Sequence, residues 1–229
     1  MKILKIINTV YDKIIVVVFI ILLLLSLYFI YDSWYVRYIS SGNSYNVYKP
    51  TLDNLDSYKD LSDECIGWIT IDDTKIDYPI MQADDNSKYL NTDPYGEYSL
   101  AGSIFLDYKN NKNFTDPYNL IYGHHMSDYK MFGELDKFKF EEFFNSHRTG
   151  TLIIDNKQYK LDIFALVETD ANVKPLFDPT NYTNQLELIK NSNVYYYEPK
   201  NKNIIIALST CKEPSTTVRT MLICSLIKD

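Results

Sequence analysis

Arginine is scarce in this chain: only Arg37, Arg148 and Arg219 appear among 23 basic residues, so each stands where lysine is the norm. Cysteine is limited to Cys65, Cys211 and Cys224, an odd and small number that excludes a disulfide framework and leaves at least one thiol free or paired between chains. The histidines are His124, His125 and His147, and neither a CxxC nor an HExxH spacing occurs, so no metal or other cofactor is expected. A basic excess is missing too. The formal charge is −7, and with the first 34 residues set aside 20 basic residues face 28 acidic ones, which excludes nucleic acid as a natural partner. No internal repeat or low-complexity tract is present.

What the chain does have is apolar and aromatic material. At 229 residues, 46% hydrophobic and 15% aromatic, it can build one well-packed domain. Residues 14–30 (IIVVVFIILLLLSLYFI) carry no charge. As a helix rising ~1.5 Å per residue this run covers ~26 Å, close to a ~30 Å hydrocarbon core. Lys2, Lys5 and Lys13 precede it, and Asp32, Trp34 and Tyr35 follow it. The positive-inside rule therefore predicts a cytoplasmic N-terminus, with aromatic rings at the outer interface and the rest of the chain outside the cell. No small-x-small cleavage site follows Ile30, so residues 1–34 are expected to be an uncleaved signal anchor. Residues 35–50 are polar and without period, and are expected to form an extracytoplasmic stalk. Residues 51–229 are expected to be the functional domain.

Within that domain, 51–63 opens with Thr51 and an Asp-rich turn, and spaces Leu52, Leu55, Tyr58 and Leu61 as a short amphipathic helix would. Nine short runs then follow, at 66–71, 75–80, 102–108, 118–123, 151–155, 158–168, 193–198, 203–209 and 217–227. They are rich in β-branched and aromatic residues and bounded by Asp, Asn, Gly and Pro, which predicts strands. A tight hairpin turn is expected at 155–157. Helical spacing interrupts the strands at 131–147 and at 182–190. Many strands with few helices predict a mainly β chain forming a closed or nearly closed barrel of about eight strands.

Three positions could carry chemistry. Cys211 ends the apolar run NIIIALSTC, where a side chain can be both held and reached; a lone cysteine is otherwise a small packed residue. A thiolate is a strong nucleophile, but it needs a base, a cation or dipoles to form near neutral pH. His124 and His125 follow a strand in YNLIYGHHM and face opposite ways on extended backbone, so either could move protons. Arg219 lies eight residues beyond Cys211, early in the last run; if the intervening KEPSTT joins two antiparallel strands, thiol and guanidinium share a rim, where an oxyanion could be stabilised. Cys65 and Cys224 are expected to be packed side chains, and His147 a helix-end residue.

A histidine after YG, the strand end LSTC and an arginine soon after it resemble the sortases, the cell-wall transpeptidases of Gram-positive bacteria. IGWITIDDTKIDYPIMQ, AGSIFLDY and YGHHM followed by MFGEL are similar to class B members, over about residues 51–227. The chain departs from several of them in having Lys212 and Glu213 after the cysteine, and a short Cys-to-Arg loop. The resemblance implies a closed barrel with N-terminal helices and an extra helix before the nucleophile strand, here 182–190. It also implies Cys211 as nucleophile, His124 rather than His125 as proton carrier and Arg219 as oxyanion stabiliser, with Ser209, Thr210 and Tyr182 lining the substrate groove. The activity implied is cleavage of an NPxT-like C-terminal sorting motif after Thr, then transfer to an amine. The partners implied are surface proteins bearing that signal, a peptidoglycan precursor or cross-bridge amine or a pilin lysine, and the membrane. The same residues would also serve an endopeptidase using water, and a noncatalytic peptide-binding barrel would leave Cys211 dispensable.

Overall fold

The computed structural model describes residues 2–180, 184–210 and 217–227. The chain forms two compact units, Met1–Tyr38 and Ile39–Asp229. Helix α1 (Lys2–Ile39) supplies the first, and its stretch Ile7–Ile39 is long and apolar enough to cross a membrane. Near its C-terminal end Tyr31 stacks on Tyr35 and Trp34 on Tyr38, the four-residue spacing that superposes rings on one helix face.

The second unit is built on strands β1 (Cys65–Ile71), β2 (Asp77–Met81), β3 (Ile104–Leu106), β4 (Tyr118–Gly123), β5 (His125–Met126), β6 (Lys130–Met131), β7 (Thr149–Ile154), β8 (Lys157–Asp170), β9 (Asn193–Tyr196), β10 (Ile205–Thr210) and β11 (Val218–Ile227). Eight of them pair in the order β11-β10-β4-β3-β2-β1-β7-β8, and β8 pairs back to β11, closing the barrel. Strand β9 is appended to β8, and β5 pairs only with β6. Closure gives each of the eight strands a partner on both sides, which removes the edges an open sheet would have. The expected hairpin is a two-residue turn, with Asp155 and Asn156 both at positive φ (46° and 56°). That is the backbone twist which matches antiparallel strands.

Alternation sorts the side chains. Ile69, Ile80, Ile121, Leu152, Ile206, Leu208 and Leu222 fill the interior, together with Phe132, Leu135 and Phe138 from the 3-10 helix Phe132–Lys139. The outer faces of β10 and β11 are buried as well: Ile205, Ala207, Met221 and Ile223 pack with Leu176 and with Ile189 of helix α3 (Gln185–Asn191). These two strands therefore read as continuous apolar runs instead of alternating ones. Ala165 pairs with Ile223 and Ile163 with Cys224, so Phe164 is a bulge, and Ile163 and Leu166 both reach the interior.

Three local expectations change. Residues 51–63 form no α-helix, only a 3-10 turn at Ser57–Asp60; Tyr58 is buried while Leu52 is 87% exposed. The Asn54 side chain accepts from the Asp56 amide, and Thr51 and Asn54 exchange backbone bonds, so short polar groups take the backbone partners a helix would use. Residues 39–50, expected within a stalk, fold onto the barrel. Asn43–Tyr48 is a 3-10 helix with Tyr45 buried, and Lys49 pairs with Asp77 at 2.5 Å. The Tyr78 hydroxyl donates to the Ser40 carbonyl at 3.0 Å. The helical stretch expected over 131–147 is divided into the 3-10 helix Phe132–Lys139 and α2 (Glu141–Ser146), with extended Phe140 between them.

Candidate active site

Strand β10 lies between β4 and β11. It runs parallel to β4, with Ser209 opposite Tyr122 and Thr210 opposite Gly123, the residue before His124. On its other side it is antiparallel to β11, with Ser209 opposite Met221, and the Thr220 amide donates to the Thr210 hydroxyl at 3.2 Å. The end of β10, the end of β4 and the beginning of β11 thus meet at one rim. His124 follows β4, and Arg219 is the second residue of β11. Cys211, next in sequence after Thr210, lies outside the described residues, as does Tyr182.

Each side chain at this rim has an identifiable support. His124 Nε2 is 2.7 Å from the Leu90 carbonyl oxygen. A carbonyl only accepts, so Nε2 bears the hydrogen and Nδ1 is the acceptor of the neutral ring. Leu90 is presented by the turn at Lys88–Leu90, against which Gly102 packs at φ 58°; a Cβ on Gly102 would stand 2.7 Å from the Leu90 oxygen. Because the His124 contact runs through a main-chain oxygen, no side chain in the sequence announces it. The His124 carbonyl in turn accepts from the Phe132 amide at 2.9 Å.

Arg219 is only 4% exposed and donates through Nη1 to the Val218 carbonyl at 2.8 Å. A buried guanidinium has a fixed direction, which a solvated lysine would lack. Asp170, near the start of β11, is held below the ordinary carboxylate range first by the Thr217 hydroxyl and the Asn172 amide, with the charge of Arg219 adding a smaller part.

Ser209 and Thr210 are both buried; the Ser209 hydroxyl donates to the Thr210 carbonyl at 3.2 Å. His125 points to Asp136, with Nε2 2.6 Å from Oδ2. That partner was invisible in the sequence, because it sits eleven residues away across an irregular loop. His147 bonds locally, donating through Nδ1 to the Phe143 carbonyl at 2.9 Å, and its ring stacks on Phe143. Cys65 and Cys224 are buried; desolvation pushes the Cys65 thiol up to about 12 and the Cys224 thiol upward as well.

The glycine before His124 is a matter of space. A Cβ on Gly123 would strike the Ile104 side chain and stand 2.8 Å from the Phe132 ring. Gly123→Ala should cost ~1–3 kcal/mol in urea unfolding, the usual scale of overpacking. An unchanged midpoint would mean that Phe132 can yield.

The rim thus belongs to a closed eight-strand barrel in which α3 and β9 precede β10. No protein-family model matches the chain. Sortase B of Listeria monocytogenes is 37% identical over 180 residues, covering 76% of this chain and 73% of that protein. Sortase B of Staphylococcus aureus is 30% identical over 183 residues, covering 76% and 74%. Among solved structures, sortase B from Bacillus anthracis in complex with AAEK1 superposes with a TM-score of 0.73 at 32% identity, covering 87% of this chain and all of that one. A Streptococcus pyogenes class B sortase involved in pilus biogenesis superposes at 0.68 and 38% identity, covering 75% and 97%. The chain belongs to the class B sortases, a family of cysteine transpeptidases.

Proposed function

We propose that this chain is a membrane-anchored transpeptidase that cleaves an NPxT-like C-terminal sorting motif after Thr and joins the protein to an amine of peptidoglycan or its precursor. Cys211 is the nucleophile, His124 the proton carrier and Arg219 the oxyanion stabiliser. The observation that carries this is the strand order at the rim. Strand β10, which leads directly into Cys211, is flanked by the strand that ends before His124 and the strand whose second residue is Arg219. A solved Staphylococcus aureus sortase B-substrate complex, 26% identical with a TM-score of 0.69, supports a substrate site on this fold.

Cys211 passes its thiol proton to His124, the resulting thiolate attacks the Thr carbonyl carbon, and the tetrahedral oxyanion is met by the fixed donors of Arg219. The C–N bond breaks as the departing amine takes a proton from His124, leaving a thioester on Cys211. The acceptor amine attacks the thioester, His124 removes its proton, and the C–S bond breaks to regenerate the thiolate. With Nε2 donating to Leu90, the proton is exchanged at Nδ1. Ser209 and Thr210, both buried, are assigned to the floor beneath the peptide groove and Tyr182 to its lining.

Helix α1 anchors the enzyme, with the lysines before the apolar run in the cytoplasm and the barrel outside the cell. Anchoring confines the search to a plane shared with exported substrate and lipid-linked wall precursor.

The test is mass spectrometry of the full chain in detergent with an NPxT peptide library, with and without an amine, beside Cys211→Ala, His124→Ala and Arg219→Ala. Amine adducts at Thr that require all three side chains support the assignment. Hydrolysis without adducts indicates an endopeptidase, and no cleavage overturns it. Adducts to a lysine-bearing peptide in preference to wall amines would indicate a pilin acceptor.

A further inference from the structure

The segment after His124 is held in an unfavourable backbone. Asp128, Tyr129 and Met131 all have positive φ (60°, 55° and 50°), a region that non-glycine residues enter only when their surroundings impose it. The surroundings do so at several points. Tyr78 Oη accepts from the Met131 amide at 3.0 Å, Lys75 donates to the Asp128 carbonyl at 3.2 Å, and the Phe132 amide closes onto the His124 carbonyl. A further attachment runs through side chains. His125 Nε2 lies 2.6 Å from Asp136 Oδ2, and Lys139 Nζ bridges Asp136 Oδ1 at 3.0 Å and Glu168 Oε1 at 2.9 Å.

The two ends of this chain of charges are its important feature. His125 adjoins His124. Glu168, on β8, is the partner of Thr220, the residue after Arg219, while Thr169 is the partner of Arg219 itself. The ion pairs therefore run from one flank of the candidate site to the other, by way of the helix Phe132–Lys139 that plugs the barrel. Each of the four side chains is about a third exposed. Pairs this accessible contribute little to folding. They do fix direction: because consecutive residues on extended backbone face opposite ways, holding the His125 ring at Asp136 holds the His124 ring at Leu90.

We propose that His125, Asp136, Lys139 and Glu168 form a chain, a hydrogen bond at His125 and ion pairs at Lys139, that positions His124 relative to Arg219, with His125 as the positioning residue next to the imidazole. This rests on the assignment of His124 as proton carrier. The chain acts through His124 and touches no substrate, so its loss reduces turnover and leaves peptide binding in place. Being exposed to solvent ions, it also makes turnover sensitive to salt.

The test is steady-state transpeptidation by the full chain in detergent, for His125→Ala, Asp136→Asn, their double variant, Asp136→Glu and His124→Ala, with Tm measured for each. The expected result is a kcat lower by about ten-fold in each single variant, a misplacement effect, with KM within about twofold. The double variant should be no worse than either single one, since both break one link. Asp136→Glu should recover much of the loss. Raising salt should lower wild-type kcat and leave that of Asp136→Asn unchanged, while Tm stays within a few degrees throughout. If His124→Ala is inactive but the His125 and Asp136 variants turn over as wild type, or their losses multiply, the positioning chain is overturned on its own. If His124→Ala remains active, the assignment beneath it falls.

Discussion

Treating the folded protein with iodoacetamide at pH 7 should alkylate one cysteine, Cys211, and abolish transpeptidation in step, with Cys211→Ala reducing activity by ~10³-fold or more. The contrast comes from the other two thiols. Cys65 is buried, and its thiol, pushed up to about 12, is only about one part in 10⁵ thiolate at pH 7; Cys224 is buried and shifted in the same direction. The sign is set by desolvation, which disfavours the charged form and so keeps both as unreactive thiols across neutral pH. Peptide mapping after brief labelling checks this. Labelling of Cys65 or Cys224 with activity intact would remove the basis for naming Cys211, whereas Cys65→Ser and Cys224→Ser should keep turnover in the fraction that folds.

Arg219→Lys should lower kcat by about a hundred-fold with KM changed little, the scale seen when one oxyanion donor is lost. The charge survives this change, so a purely long-range electrostatic role predicts almost no loss. What is lost is geometry. Arg219 is 4% exposed, its guanidinium braced on the Val218 carbonyl and carried one residue before Thr220, whose amide is tied to Thr210. An ammonium on a flexible stem offers no planar fork in that space. Turnover of Arg219→Lys at the wild-type rate would exclude directed donation, and a rise in KM alone would move Arg219 to peptide binding.

The legible part of the fold followed from local chemistry. Residues 118–123 were expected as a strand and are β4, because the aromatic and β-branched residues of YNLIYG favour extended backbone. The runs at 203–209 and 217–227 were recognisable despite their lack of alternation, since β-branched composition and length mark a strand covered on both faces. The segment 51–63 misled because apolar spacing alone suggested a helix, while its Asp, Asn and Ser side chains favour turns. Residues 39–50 misled because polar composition says nothing of the burial of Tyr45 or of the Tyr78 bond to Ser40.

By itself the sequence determined the long apolar helix, the strand segments, the scarcity of Cys, His and Arg that singled out a few positions, and a motif order resembling the sortases. Tertiary structure alone decided which of these become neighbours. The pairing of β4 with β10 joins residues more than eighty positions apart, and it is selected by closure of the whole barrel, since no local pattern encodes it. For the same reason the Leu90 carbonyl at His124 and the ion pairs from His125 to Glu168 have no signature in the chain. They depend on a main-chain atom in one case and on a helix laid across the barrel in the other.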